Sequence, residues 1–318
     1  MFKHLPNYKP ANPSLWQGRT DTHNPERFFQ LIDFVTNENQ LINIPKQTVF
    51  LGFASDVGIK RNLGRPGAYF GPDEIKMQLA KLPSASKNRY LDLGVIDCTE
   101  DLESCQSQFA QIINFCHQHG HRTIAFGGGH EIAWGHYQGL AGQYKKIGII
   151  NFDAHFDLRP FHIGDPGTSG TPFSQIAEFC KLNNQAFNYC CLGIQHCGNT
   201  QSLFKRAAEL NVEFLSAEQM HLYDLAQQIS FLNNFIQKVD HIYLSICLDV
   251  FAECFAPGVS APQALGINPW QAVPLLKYIM QTGKVVSIDL AELSPPLDQN
   301  QKTARLAALI TAELLDIK

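Results

Sequence analysis

No stretch of this chain approaches the ~18 apolar residues that a membrane span needs, and Met1 to Gln17 is polar and proline-bearing, without the apolar segment of a secretory leader. Neither a membrane-bound nor an exported protein is expected. Excess basic charge is missing too. The 25 Lys+Arg are scattered and face 29 Asp+Glu, giving a net charge of −4 and a pI near 6.3. That balance argues against nucleic acid and anionic membranes as partners. The nine cysteines contain no CxxC pair and are odd in number, so they read as reduced, mostly buried thiols in a cytoplasmic protein and not as a disulfide framework. Internal repeats, low-complexity blocks and long linkers are also absent.

What is there is apolar mass in a regular rhythm. The 318 residues are 45% hydrophobic, enough for a sizeable core. From about residue 46, short β-rich runs alternate with longer amphipathic ones. Strands are expected at Thr48–Ser55, Tyr90–Val95, Thr123–Phe126, Lys146–Phe152, Asn188–Ile194, Val212–Ser216, His241–Leu248 and Val285–Leu290. Helices are expected at Pro72–Leu82, Leu102–His119, Thr200–Leu210, Pro269–Thr282 and about Thr303–Leu315. Eight strands separated by helices indicate a mainly parallel sheet covered on both faces. Residues 1–318 read as one domain, with 1–45 a partly helical arm packed on it. Counting leaves a closed barrel and an open doubly wound sheet equally possible; in either, ligands sit at the carboxyl ends of the strands.

Polar residues able to bind metal recur at four of those ends. They are Gly127-Gly128-Gly129-His130-Glu131, Asp153-Ala154-His155-Phe156-Asp157, Ser245-Ile246-Cys247-Leu248-Asp249 and Asp289-Leu290-Ala291-Glu292. Asp153, His155 and Asp157 alternate at i, i+2, i+4, so an extended chain would send all three to one face. Like charges on one strand face are destabilising without a cation, and this mixture of carboxylate and imidazole suits a hard divalent ion. The glycines lack the GxGxxG spacing of a dinucleotide loop. Singly, each element has a plain reading as well: Gly-Gly-Gly-His as a turn, Asp249 as a cap, Cys247 as core, and Glu292 as a cap or ion-pair partner.

Taken in order and at this spacing, the first three motifs resemble the metal-binding signatures of the arginase/agmatinase (ureohydrolase) superfamily, from about Phe50 to the C-terminus. The resemblance implies a three-layer α/β/α fold with an open, mainly parallel eight-stranded sheet. It implies two divalent metals, Mn2+ by family habit, with His130, Asp153 and Asp157 on the first, and His155 and Asp249 with a bridging Asp153 on the second. A hydroxide bridging the metals would attack the C–N carbon, Asp157 or Asp249 would hold it and move a proton, and Glu292 would face the cationic centre of the substrate. Cys247 stands where the family has a second bridging aspartate. It would bridge, bind one metal or stand aside, and its soft sulfur opens the site to Zn2+ or Fe2+. If its thiol meets the metals, alkylation should be fast in the metal-free protein and blocked in the loaded one.

Within the superfamily the chain most resembles the formimidoylglutamases of histidine degradation, which convert N-formimidoyl-L-glutamate and water to L-glutamate and formamide. The resemblance rests on Arg61-Asn62-Leu63-Gly64-Arg65-Pro66-Gly67-Ala68, on Arg159 after Asp157, on Thr168-Ser169-Gly170-Thr171-Pro172-Phe173 and on Gly258-Val259-Ser260-Ala261-Pro262. A substrate with two carboxylates needs fixed cations, and Arg159, then Arg61 and Arg65, are the candidates; Ser169 stands where guanidine hydrolases commonly carry histidine. The competing expectation for Arg159 is a salt bridge to Asp165 or Glu131. Alternative functions are an agmatinase or guanidino-acid hydrolase, or a metal-binding pseudoenzyme weakened by Cys247. The expected partner is a small carboxylate-bearing substrate, with homo-oligomerisation left open.

Overall fold

Thr48–Ala54 reads TVFLGFA and is buried at every position, a pattern that suits a strand covered on both faces. Seven further strands, mostly buried, and two short ones join it in a computed structural model that describes residues 1–316. In chain order the strands are β1 (Tyr8–Lys9), β2 (Ile32–Phe34), β3 (Thr48–Ala54), β4 (Tyr90–Asp97), β5 (Arg122–Gly127), β6 (Ile147–Phe152), β7 (Asn188–Ile194), β8 (Glu213–Ser216), β9 (His241–Cys247) and β10 (Val285–Ala291).

The eight longer strands are parallel and run β4-β3-β5-β10-β9-β6-β7-β8. β4 and β8 do not pair with each other among the described residues, so the sheet is open. Alternate side chains feed two cores. Phe50, Ile124, Phe126, Ile150, Leu244 and Ile288 enter one, while Val49, Leu51, Ala125, Ile149 and Tyr243 enter the other. Helices such as Gly71–Lys81 and Lys302–Leu315 cover the first face, and Leu102–Gln118 and Ile132–Ala141 the second. No helix of the described residues is long and apolar enough to cross a membrane.

Residues 1–45 are more than a helical arm. β1 pairs antiparallel and β2 parallel along β4, extending the sheet to ten strands. At two and three residues they are too short for alternation to reveal them. Trp16 anchors the arm by stacking on Phe50 and donating from Nε1 to Asp92 Oδ2 at 2.8 Å. The same carboxylate meets Lys76 Nζ at 2.7 Å, and both side chains are at most 1% exposed.

Candidate metal centre

After β5 the chain crosses to β6, and the gap between them is filled later by β9 and β10. That topology opens a crevice at the carboxyl ends of four adjacent central strands. Gly128 lets the first loop pass there. Its N–H donates to Phe53 O at 2.7 Å, and a Cβ would lie only 1.8 Å from Ser55 O.

The four strand ends bring the expected ligands together. His130 Nδ1 lies 2.9 Å from Asp153 Oδ2 and 3.0 Å from Asp157 Oδ2. His155 Nδ1 lies 3.1 Å from Asp249 Oδ2 and 3.6 Å from Asp153 Oδ1. Donor atoms of His130, Asp153 and Cys247 fall within 4.8 Å of one another, as do those of Asp153, His155 and Asp249. Asp153 belongs to both groups, which is what two neighbouring cation positions require. Cys247 Sγ donates to Asp249 Oδ1 at 2.9 Å, so the thiol faces the cluster.

The convergence arises differently from the extended-strand expectation. β6 stops at Phe152, and His155 N donates back to Asp153 Oδ1 at 2.7 Å. Asp157 then takes a left-handed conformation, φ 48°. A turn, not strand alternation, aims the three side chains inward. Asn199 braces that turn, accepting from Phe156 N at 3.0 Å and donating to Ala154 O at 2.9 Å. Sequence reasoning missed Asn199, because a lone asparagine before a helix carries no distinguishing signal.

The donors fit metal ions. His130 Nδ1 is fully buried and close to two carboxylates, yet satisfies no hydrogen-bond direction with either. Its other nitrogen, Nε2, meets Ser245 Oγ at 2.9 Å, and that hydroxyl donates to Asp289 Oδ1 at 2.6 Å. Ser245 has one proton, already given, so Nε2 carries the hydrogen in the neutral imidazole and Nδ1 presents a lone pair. Electrostatics agree. Burial opposes charge on His130, but Asp153 and Asp157 outweigh it and raise the imidazole well above its ordinary range, a proton standing where a cation belongs. Burial, then the Asp153 charge, pushes Asp157 up to about 6. Burial, then Asp153 and Asp249, pushes the Cys247 thiol well up. The residue is 1% exposed and lines the floor of the cleft.

Above this floor lies a cleft of about 340 Å³, lined by His130, His155, Asp157, Cys247, Asp249 and Glu292 below and by Arg65, Arg159 and Ser169 among the walls. Glu292 adopts φ 72° and accepts from His130 N through Oε1 at 2.8 Å. Arg159 is exposed and makes no ion pair among the described residues, so the bridge to Asp165 or Glu131 is absent. Ser169 Oγ accepts from Asn62 Nδ2 at 3.2 Å. Arg65 donates to Ser260 O at 2.9 Å and Val259 O at 2.7 Å, without a carboxylate partner. Arg61 departs from expectation. It lies outside the cleft lining, meets Glu103 through Nη1 at 2.6 Å and Nη2 at 3.2 Å, and donates to Gly167 O at 3.0 Å. Glu103 offers a complete bidentate partner, so this guanidinium clamps the loop before Ser169.

Residues 46–316 match the model of the Arginase family. The formimidoylglutamase of Legionella pneumophila (strain Paris) is 65% identical over 99% of both chains, and that of Ralstonia nicotianae 40% identical over 96% of both. Among solved structures, formimidoylglutamase from Bacillus subtilis superposes with a TM-score of 0.82 at 24% identity, covering 94% of this chain and 93% of that one. Trypanosoma cruzi formiminoglutamase with Mn2+2 gives 0.79 at 22% identity, covering 91% and 97%.

Proposed function

The chain belongs to the arginase family, and from that premise we propose that it hydrolyses N-formimidoyl-L-glutamate to L-glutamate and formamide, as a metal-dependent formimidoylglutamase. The observation that carries the reading is a cleft with carboxylates and imidazoles converging on its floor and unpaired guanidinium charge, Arg159 and Arg65, on its walls. Two divalent ions, Mn2+ by kinship, would be held by His130, Asp153 and Asp157, and by Asp153, His155 and Asp249, with the Cys247 thiolate beside them. When bound, they supply the Lewis acidity that makes water a nucleophile near neutral pH.

The remaining work falls to the chain. Glu292 Oε1 is held by His130 N, which leaves Oε2 to receive the amidinium. Asp157 or Asp249 accepts the proton of the attacking water and passes it to the departing α-amine. Arg159 pairs with a glutamate carboxylate, and Arg65 lies on the wall for the other. Ser169, whose oxygen already accepts from Asn62 Nδ2, keeps its own O–H to donate to the same substrate. Turnover of formimidoylglutamate, agmatine, arginine and guanidinobutyrate by purified Mn2+-loaded protein tests the reading. Formimidoylglutamate should be the preferred substrate; faster turnover of agmatine, or none of any, would overturn it.

A further inference from the structure

Beneath the metal centre a row of polar side chains runs through the sheet, all on the face that packs against helices Leu102–Gln118 and Ile132–Ala141. Asp289 is its hub, fully buried, with neither oxygen reaching the cleft. Oδ1 accepts from Ser245 at 2.6 Å, and Oδ2 accepts from Tyr243 Oη and lies 2.7 Å from His136 Nδ1. His136 Nε2 is 2.5 Å from Ser287 Oγ, and Ser287 Oγ is 2.5 Å from Thr123 Oγ1. Thr123 Oγ1 is 2.9 Å from His117 Nε2, and His117 Nδ1 is 2.9 Å from Tyr144 Oη near the opposite pole.

A proton inventory gives this row one direction. An ionised Asp289 can only accept. His136 therefore donates from Nδ1 and, when neutral, accepts at Nε2 from Ser287. Ser287, having given its proton, accepts from Thr123. Thr123 accepts from His117 Nε2–H, and His117 Nδ1 accepts from Tyr144. Every hydroxyl donates once and no imidazole needs a charge. From the other side Ser245 gives its proton to the same carboxylate and must accept from His130 Nε2–H. Two donor chains converge on one buried acceptor, and one of them ends on a metal ligand.

We infer that Asp289 and His136 are positioning residues for the metal centre: they lock His130 in the Nε2–H tautomer, with its Nδ1 lone pair turned to the metal. The inference rests on the metal-site reading and names residues beyond it. Removing the hub's polarity should weaken one metal position and spare the other, because His155 and Asp249 lie outside the row. In Asp289→Asn the one remaining carbonyl oxygen is claimed by the two donors Tyr243 and His136, so the NH2 faces Ser245, which then accepts from it, turns its own proton towards His130 Nε2 and places the imidazole hydrogen on Nδ1.

The test is Mn2+ binding to purified, metal-stripped wild type, Asp289→Asn, Ser245→Ala and His136→Gln, followed by calorimetry and by the Mn2+ paramagnetic resonance signal, together with nitrogen-15 spectra of the Zn2+-loaded proteins to read histidine tautomers. Wild type should bind two ions and show a metal-bound imidazole with Nε2–H. The variants should lose about 10- to 100-fold in affinity at one position, keep the other, and show a changed His130 signature. Two ions at wild-type affinity with an unchanged tautomer in folded Asp289→Asn and Ser245→Ala would overturn the inference. Equal weakening of both positions would do so as well, because it would mean general loosening. If Asp289→Asn does not fold, Ser245→Ala decides, since it deletes one oxygen. Failure of wild type itself to bind two ions would instead overturn the metal-site reading.

Discussion

Replacing Arg159 with Gln removes a guanidinium that no carboxylate in the described residues claims, so the folded protein should lose little stability and the loss should appear in substrate binding. A charge-assisted hydrogen bond contributes about 1.5–3 kcal/mol. Arg159 is exposed at the rim, where solvent screens the pair, so the lower part of the range applies. About 2 kcal/mol corresponds to roughly a 30-fold rise in KM for formimidoylglutamate. The effect should fall on KM, since the residue stands away from the reacting carbon and binds ground state and transition state alike. Gly170 offers an independent handle. A Cβ there would sit 2.7 Å from Arg159 Cδ and 2.9 Å from its Nε, so Gly170→Ala should displace the same side chain and mimic the charge loss. Steady-state kinetics on formimidoylglutamate, beside a formimidoyl amine lacking both carboxylates, completes the cycle: the variants should differ from wild type on the first substrate and match it on the second. An Arg159→Gln enzyme with unchanged KM and kcat on formimidoylglutamate would refute the assignment.

Metal titration of Cys247→Asp should show the same two ions as wild type with tighter Mn2+ binding, because an oxygen donor replaces a soft sulfur in contact with the cluster; identical affinity in wild type, Cys247→Ala and Cys247→Asp would make the sulfur a bystander. Lys76→Met leaves Asp92 charged and fully buried, so denaturant unfolding should show a loss of about 3–5 kcal/mol, and a loss below ~1 kcal/mol would contradict the buried pairing. Burial holds the His117 imidazole down to about 3, against an ordinary 6.5, so between those values the unfolded chain binds a proton that the folded chain refuses. That contribution is whole above the ordinary value and is lost as pH falls through the window, by about 2 kcal/mol between pH 7 and pH 5; His117→Gln should flatten this part of the stability profile, and an unchanged profile would refute it.

The eight long strands were legible because each is a short, largely apolar run between longer amphipathic stretches, and their ends moved little. Tyr90–Val95 lengthens to Tyr90–Asp97, where β1 supplies a partner for Val95 and Ile96. The candidate metal ligands were legible as residue types at strand ends, but not their geometry, since a turn closed by Asp153 Oδ1 at Asp157's left-handed backbone cannot be told from an extended DxHxD by spacing alone. Arg61's partner was not legible, because an arginine in a glycine-bearing loop gives no sign of which carboxylate it will meet; Glu103, 42 residues on, is fixed only by the fold. The relay did leave a trace. Tyr243 and Ser245 in HIYLSIC, and Ser287 and Asp289 in VVSIDLA, are polar at every second position of strands otherwise apolar on both faces. In strands buried at all but one position, that alternation signals a polar network, because such groups stay inside only when paired.

On the proposed reading the cleft is ordered in charge from floor to mouth, and that order would itself select substrates. Asp157, Asp249 and Glu292 line its floor and Arg65 and Arg159 its walls; with the two proposed ions held by the aspartates, Glu292 is the carboxylate left to face a substrate cation. Burial, then the charges of Asp249 and Glu131, holds Glu292 well above the usual carboxylate range, and a cation beside it favours the ionised carboxylate that can pair with an amidinium. A molecule that fits must place its cation inward and its anions outward. Formimidoylglutamate does both. Agmatine carries a second cation that would meet Arg159, and arginine sets an ammonium beside the carboxylate that the arginine would seek. Guanidinobutyrate has the right polarity with one carboxylate fewer, so it is the competitor that charge excludes least. Discrimination against it must come from the second carboxylate and from the shape around Ser169, and the substrate comparison is therefore most informative at that pair.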